Sequence, residues 1–268
     1  MIEALGFPAM VLMGVVLGTI GAGGSILVVP ILVYLFGVAP SMATGYSLAI
    51  VGTTALAGAV EYLRRGQSDP RMALVFGLPA IVAVYLTRRF FFPAIPDPVF
   101  ETASFVLSKD AGVMILFAAF MLAAALSMMR SGREPVEEEA PPKTTINYPL
   151  IVLVGFAVGV FTGMVGAGGG FMILPVLVLL GGLPMKVAIG TDLLIIAAKS
   201  LLGFVGEMQA VEGIDYGFVG LITLLPLAGM VIGTLLNRRA PAQLLRTAFA
   251  WFVLVMGSYI VVREVFFS

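Results

Sequence analysis

Long apolar blocks, free or nearly free of charge, alternate along this chain with short clusters of Arg, Lys, Asp, Glu, Pro and Gly. Within the blocks polar residues do not recur at every second position, so barrel strands are disfavoured and helices of membrane-spanning length are expected. The blocks cover 5–38, 42–63, 72–86 and 111–129, and then 148–183, 186–209, 217–237 and 242–262. Arg64 and Arg65 end the second block, and Arg88 and Arg89 the third; the proline-bearing stretch 93–110 reads as an extramembrane loop. The first block is 34 residues long. As one helix it would run about 51 Å at 1.5 Å per residue, well beyond a hydrocarbon core of about 30 Å. It must break. Glycine costs about 1 kcal/mol relative to alanine inside a helix, which places the break at Gly21 to Gly24 and predicts a broken or re-entrant hairpin.

The same plan occurs twice, at a constant offset of 145 residues. Gly21-Ala22-Gly23-Gly24-Ser25 is matched by Gly166-Ala167-Gly168-Gly169-Gly170, and Pro30 by Pro175. Gly37, Ala43, Gly45, Leu48 and Gly58 fall on Gly182, Ala188, Gly190, Leu193 and Gly203. The expected fold is an all-α polytopic membrane protein of two inverted repeats, each a glycine-broken unit plus three transmembrane helices. Residues 1–130 form the first repeat, 131–147 a cytoplasmic linker and 148–268 the second repeat. Basic residues favour inversion. An inverted arrangement puts Arg64, Arg65, Arg71, Arg130, Arg133, Lys143, Lys186, Arg238, Arg239 and Arg246 on one side, ten against four, whereas a parallel arrangement divides the fourteen evenly. The positive-inside rule then makes the linker cytoplasmic and both termini external.

Composition narrows the chemistry. Hydrophobic residues make up 60% and charged residues 11%, and the mean hydropathy is +1.10, values foreign to a soluble globule. The formal charge is zero, so no basic surface points to nucleic acid. Cysteine and histidine are absent. That removes disulfides, Cys/His metal sites, Ser-His triads and histidine proton relays, and neither an enzyme nor a cofactor is expected. Glu3 stands where a signal peptide would carry a basic residue, so no cleavable signal is expected.

Two features are candidates for function. A broken helix brings half-helix N-termini to the bilayer midplane, where free N–H groups and the positive dipole end attract an anion, and glycine lets a ligand approach that backbone. The candidates on the runs are Gly21, Ala22, Gly23, Gly24 and Ser25, and Gly166, Ala167, Gly168, Gly169 and Gly170. Gly14, Gly18, Gly155, Gly159 and Gly163 read instead as small faces for close helix packing. A dinucleotide fingerprint fails, because Ile26 and Phe171 stand where its third glycine is needed. The second feature is charge at membrane depth. Lys199 lies about 20 Å along its helix from Lys186, inside the hydrocarbon. Asp192 is two turns earlier on the same face, either a proton-coupling group or the structural partner of Lys199. Their first-half equivalents are Thr54 and Ser47.

The pattern Gly163-Met164-Val165-Gly166-Ala167-Gly168-Gly169-Gly170-Phe171-Met172-Ile173-Leu174-Pro175, followed by Ala188-Ile189-Gly190-Thr191, resembles the sulfite exporter TauE/SafE family. Its first-half copy ends Leu27-Val28-Val29-Pro30, followed by Ala43-Thr44-Gly45-Tyr46-Ser47. The resemblance covers both halves. It implies a bacterial cytoplasmic-membrane permease for a small anion of sulfur metabolism, sulfite or an organosulfonate, with outward transport expected. The alternatives are a permease for another small organic anion, such as a carboxylate, and an anion channel. Carried over by residue, the signatures add Tyr46, Ser47 and Thr191 to the substrate-binding candidates, beside Lys199. Asp192 departs from the serine expected after Gly190-Thr191.

Overall fold

In a computed structural model, residues 2–20, 22–102, 105–131, 147–166, 168–236 and 242–266 are described. Gly21, Ala167, most of the expected linker and the Arg238-Arg239 pair lie outside them. The first block does break at its glycines. α1 (Ile2–Ile20) is followed by a 3-10 turn (Ala22–Leu27) and α2 (Val28–Tyr34). α3 (Pro40–Arg64) and α4 (Pro70–Leu86) come next. Proline starts both, where its missing N–H costs nothing, and Asp69 caps α4 by accepting from Arg71 N and Met72 N.

The third block does not stop at Arg88 and Arg89. α4 passes through a π turn (Thr87–Phe91) into α5 (Phe92–Ala94), so the apolar span runs from Pro70 to Ala94. The expected loop after it holds a two-stranded antiparallel ribbon, β1 (Phe100–Thr102) and β2 (Phe105–Leu107), with Phe100 opposite Leu107. α6 (Lys109–Ser131) completes the first half. The second half is α7 (Tyr148–Val165), α8 (Gly170–Leu179), α9 (Met185–Ala210), α10 (Tyr216–Leu236) and α11 (Ala242–Phe266). Six of the described helical stretches are long and apolar enough to cross a bilayer. Helix identity follows from the solvent, since backbone in hydrocarbon has to satisfy its own hydrogen bonds.

α3 and α9 form the centre, with 78% and 61% of their most apolar windows buried against 39–44% for the other four spans. They pack antiparallel along their whole length. Gly45 receives the side chain of Glu207, Gly52 that of Leu201 and Gly58 that of Leu193; in the reverse sense Gly203 receives Leu48 and Gly190 receives Tyr62. Gly45 with Glu207 and Gly190 with Tyr62 are counterparts at the 145-residue offset, as are Gly58 with Leu193 and Gly203 with Leu48, so the repeated register reappears in the packing.

The small faces pack as expected. Gly14 and Gly18 on α1 lie against the backbone of Pro226 and Met230 on α10, while Gly155 and Gly159 on α7 lie against Phe76 and Ala80 on α4. Glycine here lets backbones touch where a methyl group would collide, the main source of helix affinity in lipid, which offers no hydrophobic drive. Both pairs run parallel, and each joins a helix of one half to a helix of the other. Since α10 follows α9 and α4 follows α3 through short turns, α1 runs in the direction of α3 and α7 in that of α9. Each glycine-broken unit therefore returns to the side on which it began.

Candidate functional site

The second glycine run is unwound. α7 ends on Gly166, whose N–H donates to Thr162 O at 2.8 Å. Gly166, Gly168 and Gly169 have φ of +71°, +63° and +71°. An L-residue pays roughly 1–2 kcal/mol in that left-handed region, so the run requires glycine at three places. Space requires it as well. A Cβ on Gly168 would lie 2.6 Å from Val51 Cγ1 and 3.1 Å from Ser25 Oγ, and one on Gly169 would lie 3.1 Å from Lys199 Nζ and collide with Thr162.

Buried polar side chains converge on this backbone from four elements. Lys199 Nζ on α9 donates to Thr162 Oγ1 on α7 at 2.8 Å. Ser47 on α3 donates to Gly166 O, with Thr44 O also within reach at 3.3 Å. Ser25, in the 3-10 turn, sits against Gly168. Ser25, Ser47 and Lys199 are wholly buried, and Thr162 nearly so. A cation, two serine hydroxyls and a stretch of left-handed glycine backbone thus meet deep in the protein, with α8 starting at Gly170 beside them. Such a set binds an anion by charge and hydrogen bonds together.

The first run is built differently. The described residues Ala22 to Leu27 wind into a 3-10 turn, and the space a Cβ would need on Gly24 is taken by Leu17 N at 2.7 Å and Met13 O at 3.1 Å. Thr54, the equivalent of Lys199, donates to Ile50 O of its own helix at 2.7 Å.

Two candidates are engaged elsewhere. Tyr46 OH accepts from Asp215 N at 3.0 Å, and Thr191 Oγ1 accepts from Asp69 N at 2.8 Å while donating to Val187 O. Asp69 and Asp215 begin the helix that follows α3 and α9 respectively, so each hydroxyl ties its central helix to a turn of the opposite half. Tyr46 also lines a cleft of about 250 Å³ with Phe36, Met42, Asp215 and Phe218. Thr191 lies about 12 Å along the α9 axis from Lys199. Asp192 is fully buried, and neither carboxylate oxygen has a hydrogen-bond partner among the described residues. Asp192 and Lys199 form no ion pair; among the described residues the ion pairs are Arg65 with Glu61 and Arg88 with Glu207. The described residues hold no cluster of three metal-ligating side chains.

The Arg88–Glu207 pair is a feature that the sequence reading missed. Arg88, taken as the solvated end of a span, is wholly buried; its Nη1 donates to Glu207 at 3.2 Å and its Nη2 to Met164 O at 3.4 Å. Its guanidinium lies over the Phe92 ring, 4.4 Å from the centroid. Met164 is in the last turn of α7, so this clasp holds the approach to the second glycine run. The available signal was Glu207, an acid inside the apolar block 186–209.

The family profile described as Sulfite exporter TauE/SafE matches residues 6–260. A protein of Xylella fastidiosa (strain 9a5c) named "Probable membrane transporter protein" is 27% identical over 257 residues, covering 94% of this chain and 92% of that protein. "Probable membrane transporter protein YunE" of Bacillus subtilis (strain 168) is 25% identical over 293 residues, covering 98% of this chain and the whole of that protein. "Probable membrane transporter protein MJ0441" of Methanocaldococcus jannaschii is 25% identical, covering 94% of each chain.

Proposed function

We propose that this chain, which belongs to the sulfite exporter TauE/SafE family and is a multi-pass membrane transport protein, carries a small sulfur-containing anion such as sulfite or an organosulfonate outward across the bacterial cytoplasmic membrane. The observation behind this reading is the convergence of Lys199, Thr162, Ser25 and Ser47 on the left-handed backbone of Gly166, Gly168 and Gly169. Lys199 supplies the charge, and the run backbone, with Ser47 once its hydroxyl turns from Gly166 O to the ligand, supplies directional donors for sulfonate or sulfite oxygens. All of it is buried, as an occluded site between alternating openings would be.

The antiparallel packing of α3 on α9, together with the parallel packing of α1 on α10 and of α7 on α4, supports two inverted halves. With ten basic residues on the linker side, that side is cytoplasmic. An inside-negative potential favours anion exit by about 2.3 kcal/mol per charge per 100 mV.

The test is binding and transport by purified protein with sulfite, thiosulfate, sulfoacetate and simple carboxylates. A sulfur anion should raise the melting temperature of the parent and leave Lys199→Ala unmoved. A parent indifferent to every anion, or a Lys199→Ala variant protected equally, refutes the proposal. Sidedness has its own test. Single cysteines placed at position 140 and at Ser268 of this cysteine-free chain should react with an impermeant maleimide on intact cells only at Ser268.

A further inference from the structure

The two halves treat one register position differently. Ser47 on α3 donates its hydroxyl proton to Gly166 O of the second glycine run. Its counterpart 145 residues on is Asp192, fully buried on α9, with both carboxylate oxygens lacking a hydrogen-bond partner among the described residues. α3 and α9 pack as equivalent antiparallel helices, and α9 packs on the 3-10 turn of the first run. By register, the turn of α9 bearing Asp192 is the equivalent of the turn of α3 bearing Ser47. A serine can donate in such a place. An ionised carboxylate cannot, and one left without donors in hydrocarbon is costly enough that it takes up a proton instead. A protonated carboxyl has an O–H to give, as serine does.

We propose that Asp192 is the proton-binding site of this transporter, protonated in the closed arrangement described above, and that its proton travels with the anion. This rests on the anion site assigned to Lys199. When Asp192 loses its proton, the new negative charge faces the Lys199 ammonium two turns along the same side of α9. That charge competes with the anion for Lys199, so anion and proton bind together. A dianion leaving with one proton still carries one negative charge outward, and the membrane potential still favours its exit.

The elements packed on α9 carry titratable groups, among them Asp69, whose carboxylate caps α4 and whose N–H donates to Thr191. On α3 the titratable groups sit near the helix ends: Tyr46 on Asp215 N, Glu61 paired with Arg65 beyond the helix, Tyr62 against Gly190, and Arg64. α4 offers Arg71 in its first turn and Tyr85 bonded to Gln209; in the π turn Arg88 holds Glu207 and Arg89 donates to Gln209 O. α8 and the 3-10 turn carry no titratable residue. Among the described residues, Lys199 is the charge whose field acts on Asp192.

The test has two arms. Infrared difference spectra of the parent against Asp192→Asn, in detergent at neutral pH without substrate, should show the C=O stretch of a protonated carboxyl. Its absence overturns the proposal. In the second arm, affinity for the bound sulfur anion should weaken by about tenfold per pH unit once Asp192 titrates, as linkage to one proton requires. In Asp192→Asn the affinity should be flat with pH, at the parent's low-pH value. An equal slope in both proteins overturns the proposal, as does accumulation in liposomes driven by a sodium gradient and not by a proton gradient. Asp192→Ser, which installs the first half's residue, serves where the asparagine variant does not fold. If the parent binds no anion of the panel, the transport reading fails while the infrared band still decides the protonation of Asp192.

Discussion

In the first half the residues after the break wind on as a 3-10 turn, and Gly24 rests on the backbone of Leu17. In the second half the run passes through three left-handed glycines, and Gly169 rests on Thr162 and Lys199. Leu17 and Thr162 occupy the same register position, as do Thr54 and Lys199. Even the polar residues of the first half, Ser25 and Ser47, are directed at the second run. The two halves share one register, and the polar groups that differ between them gather at the second run. The backbone geometry that admits left-handed glycine is thus found where the polar groups are.

The largest effect that would test this contrast is expected from Gly168→Val. Its φ of +63° and the closeness of Val51 and Ser25 leave no room for a branched side chain. Transport in liposomes should be lost while membrane insertion is retained, and normal transport would break the comparison. Next comes Arg88→Ala, which strands Glu207 and frees Met164 O in the turn before the second run. Removing one partner of a buried pair costs about 3–5 kcal/mol. The melting temperature in detergent should fall sharply and partly recover in the double variant with Glu207→Ala; an unchanged melting curve would mean the clasp holds nothing.

Lys199→Ala should weaken anion affinity about a hundredfold, equivalent to about 2.7 kcal/mol, with Lys199→Arg retaining part of it because guanidinium geometry differs from that of a compact ammonium. Ser47→Ala removes one hydroxyl bond to the run and should cost about 1 kcal/mol, or roughly fivefold in affinity. Thr54→Ala is expected to be the smallest, within twofold of the parent by titration calorimetry, since Thr54 bonds only its own helix among the described residues. A Thr54→Ala effect as large as that of Lys199→Ala would show that both halves contribute to binding.

Much of this was readable along the chain. Membrane helices begin and end where the hydrophobic thickness and local charge dictate, so the blocks 186–209 and 217–237 fall within about a residue of α9 and α10. The break near Gly21 followed from a block too long for the bilayer, and Lys199 stood out because a charge at that depth demands a use. Arg88 was misread for the same local reason. Two arginines closing an apolar block look solvated, and its burial depends on α9 presenting Glu207 from 119 residues away.

The sequence by itself determined that the chain lies in a membrane, that it is helical, that its plan is duplicated and that its helices break at the glycine runs. Each of these follows from the transfer of short stretches of chain into hydrocarbon or from self-similarity, and needs no knowledge of distant contacts. Only the tertiary structure decided which run carries the polar groups, why Tyr46 and Thr191 serve as ties between halves, and that Asp192 and Lys199 stand apart. Those outcomes depend on how α3 crosses α9. A hydroxyl or a charge is committed to whichever partner that crossing brings within about 3 Å, and partners more than a hundred residues apart leave no local trace.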